Sequence, residues 1–187
     1  MTKKINIRFG VLTIMVLIAA LSRIIRVSPN FAPIGALALF GAAYFSRKSL
    51  ALIVPLISLW ISDLVLNNTV YSSHVGHIVW FTDGFYWVYG SFILISLTGF
   101  LLLKKVKPLN MISANLLAAI LFFVVTNFGA WAGSTIYPQT FSGLMTCYVA
   151  GIPFFWNTLA GDLFYSAILF GVFELAQRKY PSLAVKA

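Results

Sequence analysis

Long apolar runs separated by short polar or basic connections dominate the chain, and they predict helices over about 9–25, 31–45, 49–66, 84–103, 109–133 and 150–176. A helical crossing of a bilayer takes roughly 20 residues. The second run is short, but Ser28-Pro29 reads as a turn, and Asn30 and Pro33 supply the cap and first-turn proline of a helix start. Backbone groups in hydrocarbon must be paired internally, which makes helices the default for such runs. Barrel strands would be about ten residues long with strict alternation, and none of these runs alternates. Pro55 inside the third run predicts a kink or loosened first turns. The expectation is one all-α integral membrane domain over 1–187, a compact bundle of six transmembrane helices.

Charge supplies an orientation. With a cytoplasmic N-terminus, the inside segments hold Lys3, Lys4, Arg8, Arg47, Lys48, Lys104, Lys105, Lys107, Arg178, Lys179 and Lys186, against only Arg23 and Arg26 outside. The positive-inside rule then places both termini in the cytoplasm, and an even number of crossings follows. Lys3, Lys4 and Arg8 before an apolar run look like the start of a secretory signal. No small-x-small cleavage site follows; Arg23-Ile24-Ile25-Arg26 reads instead as a helix end with snorkelling arginines, so this is expected to be the first membrane helix. The composition agrees, with 60% hydrophobic and 9% charged residues where a soluble domain carries about 25% charged. Mean hydropathy is +0.94. The net charge of +9 sits in clusters between apolar runs rather than along one face, which argues for topology and against nucleic acid.

The two longer outer connections, Asn67 to Asp83 and Ser134 to Val149, are rich in aromatic, hydroxyl and amide residues. Tyr71, Trp80, Trp87, Trp131, Tyr137 and Trp156 crowd that side, either as an interfacial belt or as a stacking surface for a flat ligand. A carboxylate in hydrocarbon must be paired or wet. At about 1.5 Å of rise per residue, Arg23, Asp63 and Asn127 share the outer third of the bilayer. Asp162 falls nearer the midplane, with Asn157 and Thr158 one turn above it. These groups are either interhelical glue, with Arg23 or Arg26 paired to Asp63, or a ligand-facing cluster; both uses demand inward orientation. Ala32-x-x-x-Ala36, Ala38-x-x-x-Ala42 and Gly129-x-x-x-Gly133 allow close helix approach, within the bundle or against a partner.

Catalytic patterns are missing from the sequence. His74 and His77 with Asp83 do not make a zinc-protease motif, and neither a GxSxG elbow nor a phosphate-binding Gly-rich loop occurs. The single cysteine, Cys147, permits no internal disulfide and no CxxC pair. The chain is read as a non-enzyme without metal or cofactor.

The strings Pro29-Asn30-Phe31-Ala32-Pro33-Ile34-Gly35-Ala36-Leu37-Ala38-Leu39-Phe40, Ser62-Asp63-Leu64, Thr126-Asn127-Phe128-Gly129-Ala130-Trp131, Cys147-Tyr148, Pro153-Phe154-Phe155-Trp156-Asn157-Thr158-Leu159 and Gly161-Asp162 resemble an uncharacterised family of bacterial membrane proteins described as transporters. That family is similar in architecture to the substrate-binding S components of energy-coupling factor (ECF) vitamin transporters. The resemblance implies a multi-pass protein of the bacterial inner membrane, N-in and C-in, that binds a vitamin-like molecule under its first, third and fifth loops. It also implies an ECF-type coupling subunit and ATPases as partners beside the lipid bilayer and the small-molecule ligand. Such S components dock the coupling subunit through Ala-x-x-x-Ala on the first helix; here that helix has only the adjacent Ala19 and Ala20, and the second helix is the substitute docking face. The expected ligand-binding residues are Asn30, Asp63, Asn127, Trp131, Asn157 and Asp162, with Arg26, Tyr137 and Cys147 as further contacts. Likeness to stand-alone cobalamin carriers makes Cys147 a corrin-ligand candidate; a free buried cysteine is the alternative. The competing reading is a non-transporting accessory subunit of a membrane complex, with the same polar groups as structural glue.

Overall fold

The computed structural model describes residues 7–25, 28–71 and 77–184. These form six helices and, among the described residues, no strand: α1 (Ile7–Leu21), α2 (Ile34–Tyr44), α3 (Lys48–Val65), α4 (Phe85–Leu102), α5 (Pro108–Ala132) and α6 (Phe141–Lys179). A 3-10 turn (Ser22–Ile24) extends α1 and a π turn (Leu66–Val70) extends α3. Five of the six helices, so extended, are long and apolar enough to cross a membrane. Their outward side chains include Ile14, Ile18, Ile57, Leu101, Val172 and Leu175, all exposed. Ser62, Ser91, Ser96, Asn115 and Asp162 are buried. Apolar groups outside and hydrogen-bonded polar groups inside are what a hydrocarbon solvent selects.

The short helix is the centre of the bundle. Gly35 to Gly41 and Tyr44 of α2 are all buried, and α2 touches each of the other five helices. A helix that is apolar on every side is stable only when surrounded. At 11 residues it rises about 16 Å, half of a hydrocarbon core of roughly 30 Å. The helix expected over 31–45 is therefore too short to cross by itself, and residues 28–33 precede it as an irregular segment. The same burial removes α2 as a docking face for a coupling subunit, since Ala36 and Ala38 are fully covered. Ala19 and Ala20 also point inward.

Close approach to α3 depends on Pro55. Proline has no N–H for the carbonyl four residues earlier, which leaves the Ala51 oxygen without its intrahelical donor. Gly41 packs into that notch, where a Cβ would lie 2.6 Å from Ala51 O and 2.8 Å from Pro55 Cγ.

One end of the bundle is tied by Arg8. Its Nη1 donates to Gln177 Oε1 (3.0 Å) and to the Leu183 carbonyl, and its Nη2 donates to the Tyr44 carbonyl (2.9 Å). The Tyr44 hydroxyl donates to Glu174 (2.5 Å), and the guanidinium lies 5.2 Å from the centre of the Phe173 ring. These contacts bring the start of α1, the end of α2 and the end of α6 to one level, so the described chain starts and finishes on the same side. Lys48 lies over Phe100, which brings the α2–α3 and α4–α5 turns, with Arg47, Lys104, Lys105 and Lys107, to that side as well.

Helix α6 departs most from expectation. It starts at Phe141, not near 150, and runs 39 residues. Thr140 caps it by accepting the Gly143 N–H (3.2 Å), and the Thr146 hydroxyl donates back to the Ser142 carbonyl (2.9 Å). Hydroxyls satisfied along the helix let a segment that looks like loop continue as helix. Cys147 consequently sits on a helix and is buried, not in an outer loop, and the connection before α6 shrinks to residues 133–140.

Replacing Gly41 by Val is expected to destabilise the protein by roughly 1–3 kcal/mol through overpacking against a backbone carbonyl that cannot yield. Thermal unfolding in detergent micelles measures this; unchanged stability would show that the α2–α3 contact is looser than described.

Candidate functional site

At the end opposite Arg8 the bundle encloses a cavity of about 570 Å³. Its walls are the end of α1 (Arg23, Ile25), the irregular segment 28–32 and Ile34, the end of α3 (Leu66, Tyr71), Phe122 of α5 and Thr158 of α6. The cavity exists because α2 begins deep in the bundle, so that residues 28–32 line a space instead of filling it.

One side of α6 holds that segment in place. The Asn157 amide donates to Ser28 Oγ (3.1 Å) and to the Pro29 carbonyl (2.9 Å). Asn30 takes a left-handed backbone conformation (φ 60°), which asparagine tolerates better than most residues, and the Phe31 N–H closes the turn on the Ser28 carbonyl (3.1 Å). Gly161 lies against the Ala32 backbone, where a Cβ would be 2.9 Å from its nitrogen. Asp162 Oδ1 accepts the N–H groups of Gly35 (2.8 Å) and Ala36 (3.1 Å). Asn30 is thus not the cap of α2. A carboxyl group from α6 caps it instead, satisfying donors that have no partner within the helix. Asp162 is 0% exposed, and its Oδ2 has no hydrogen-bond partner among the described residues.

Among the described residues, the charged group on the cavity wall is Arg23. Its Nη1 meets Asp63 Oδ1 at 2.6 Å and Ser62 Oγ at 3.3 Å. The Tyr89 hydroxyl donates to Asp63 Oδ2 (2.7 Å). Both carboxylate oxygens are therefore engaged, one by a cation and one by a phenol, and α1, α3 and α4 are joined. With side chains 16% and 21% exposed, the pair is screened from water but not sealed.

A family model matches residues 3–183, nearly the whole chain. The protein belongs to the family DUF6580. That family is described as one of unknown function. No curated protein and no solved structure matches.

In this DUF6580 protein the expected site residues divide into two groups. Asn30 lines the cavity, Asp63 reaches it through Arg23, and Asn157 and Asp162 stand behind its irregular wall. Asn127 and Trp131 lie elsewhere. The Asn127 amide donates to the Phe123 carbonyl (2.8 Å), Cys147 Sγ donates to the Asn127 carbonyl (3.5 Å), and the Tyr148 hydroxyl reaches Val124 (2.8 Å); all belong to the α5–α6 seam. Trp131 Nε1 donates to the Pro138 carbonyl (3.0 Å) and Tyr137 N–H to Ser134 Oγ (3.1 Å), which closes the 133–140 connection. None of these five residues lines the cavity. Arg26 and His74 lie outside the described residues. Among the described residues, no three His, Cys, Asp or Glu side chains cluster in a way that could hold a metal ion.

Sequence reading named neither Phe31 nor Phe122 for the site, and placed Arg23 in the polar set without assigning it to the ligand. An in-span arginine at the depth of an in-span aspartate was the available signal for Arg23. Nothing local marks Phe122, which is one apolar residue in an apolar run.

Replacing Asp162 by Ala is expected to cost about 2 kcal/mol or more, because two buried N–H groups lose their acceptor at about 1–3 kcal/mol each. Asp162→Asn keeps an acceptor oxygen and is expected to cost clearly less. Unfolding in micelles compares them, and equal losses would show that the cap bonds are not what Asp162 contributes.

Proposed function

We propose that this chain is a substrate-binding membrane transport protein, similar in architecture to ECF S components, that takes up a small vitamin-like molecule from the outer side of the bacterial inner membrane. The observation that carries the reading is the cavity of about 570 Å³ at the end away from the basic turns at Arg47 and Lys104 to Lys107. Its volume lies within the range of roughly 300–1,000 Å³ usual for small-molecule sites, and its lining mixes aromatic and apolar walls with a few polar groups. With the basic end cytoplasmic by the positive-inside rule, the cavity faces outward, N-in and C-in. Two features of the lining select the ligand. Phe31, Phe122 and Tyr71 offer area to a flat or apolar body, while Arg23, Ser28 and Asn30 orient its polar end. Cys147 is remote from this lining, so the site favours a compact vitamin over a corrinoid held by a thiol.

The accessory-subunit reading relied on small-residue faces of α2 and of the end of α5. The α2 faces are buried within the bundle and Gly129 packs against Trp87 of α4, which supports the carrier reading. A coupling subunit, if used, meets apolar outer faces of the helices rather than an alanine stripe on α1 or α2.

Purified protein screened against a vitamin panel is expected to gain about 2.7 kcal/mol of stability from a ligand at 100 times its dissociation constant. Phe31→Ala is expected to abolish this gain and Cys147→Ser to leave it intact. Absence of stabilisation by any compound, with stoichiometric copurifying membrane subunits, would favour the accessory role.

A further inference from the structure

We infer that the transported molecule carries a carboxylate, and that this group docks on the side-on edge of Arg23. The inference rests on the uptake reading and narrows its substrate class. Among the described residues lining the cavity, Arg23 is the one charged side chain. Its bonds to Asp63 and Ser62 both leave from Nη1. Among the described residues, Nε and Nη2 carry no hydrogen bond. These two nitrogens form the edge of a guanidinium that takes a carboxylate through two parallel bonds. The ion pair with Asp63 and the Ser62 contact fix the guanidinium plane, so the free edge is held in place before a ligand arrives.

Other charge types fit less well. A cationic ligand needs an acidic lining, and Asp63 does not line the cavity: its oxygens are turned to Arg23 and Tyr89. A phosphate dianion brings two charges to a site whose one cation already has a counter-ion. A monoanion with planar geometry matches a single free guanidinium edge. Phe31 and Phe122 then cover the apolar remainder, and Ser28 and Asn30 remain for a distal polar group.

The test uses the purified full-length protein in detergent and matched compounds differing at one group: nicotinate and nicotinamide, biotin and biotinamide, pantothenate and panthenol, with thiamine and riboflavin as carboxylate-free controls. Thermal stabilisation is titrated for each. At least one acid is expected to bind about tenfold or more tighter than its uncharged partner. Arg23→Gln is expected to erase that preference. Because Arg23→Gln strands Asp63, the double variant Arg23→Gln/Asp63→Asn, which removes both charges and keeps hydrogen-bonding groups, is the folding-safe form and is expected to behave alike. Arg23→Lys retains charge without the edge and is expected to lose most of the tight binding. Equal binding of acid and amide, or binding of thiamine or riboflavin alone, overturns the carboxylate assignment and leaves the uptake reading standing. No binding by any compound counts against both.

Discussion

The start of α2 inside the bundle is the constraint on which the rest of the structure depends. A helix that begins away from water exposes N–H groups with no partner of their own, and hydrocarbon offers none. Asp162 meets two of them with one oxygen. Because this carboxylate stands on α6, the depth at which α2 can begin is tied to one level of a neighbouring helix. Everything above that level is left to a six-residue irregular segment, and an irregular segment cannot fill a helix-sized volume.

The remaining polar groups serve the two ends. At one end Arg8 gathers carbonyls and an amide from α2, α6 and the turn after α6, closing the bundle tightly. At the other, Arg23 joins α1 to α3 while Tyr89 brings in α4, and a space remains. The two arginines differ in their setting: Arg8 is buried between three elements of the bundle, whereas Arg23 stands on a cavity wall. The larger cavity of the bundle thus lies at the end away from the Arg47 turn, the arrangement on which the proposed uptake role rests.

Much of this fold is legible in the sequence. The bounds of α3, α4 and α5 fall within a residue of the apolar runs 49–66, 84–103 and 109–133, because glycine, proline or charge brackets each run. The pairing of Asp63 with an arginine at the end of α1 is legible too, since opposite charges at one depth in hydrocarbon favour meeting, although the sequence left Arg23 and Arg26 as alternatives. Depth, however, says nothing of azimuth. Asn127 shares that depth but lies on a helix apolar on all sides, where no stripe marks the inward face, and it turned out to serve the α5–α6 seam. The cap of α2 was misplaced for another reason: Asn30 is the local candidate, but the true acceptor is 126 residues or more away, and single-sequence reasoning sees only local donors and acceptors. The early start of α6 was hidden because its first turns carry serine and threonine, whose hydroxyls bond to the helix itself.

The central claim is that residues 28–32 line a cavity open to the outside while the Arg47 turn lies inside. In a Cys147→Ser background, Asn30→Cys and Arg47→Cys can be labelled with a membrane-impermeant maleimide in intact bacterial cells. The account requires labelling at position 30 in intact cells and at position 47 only after permeabilisation. Labelling at position 47 from outside, with position 30 protected, would contradict it.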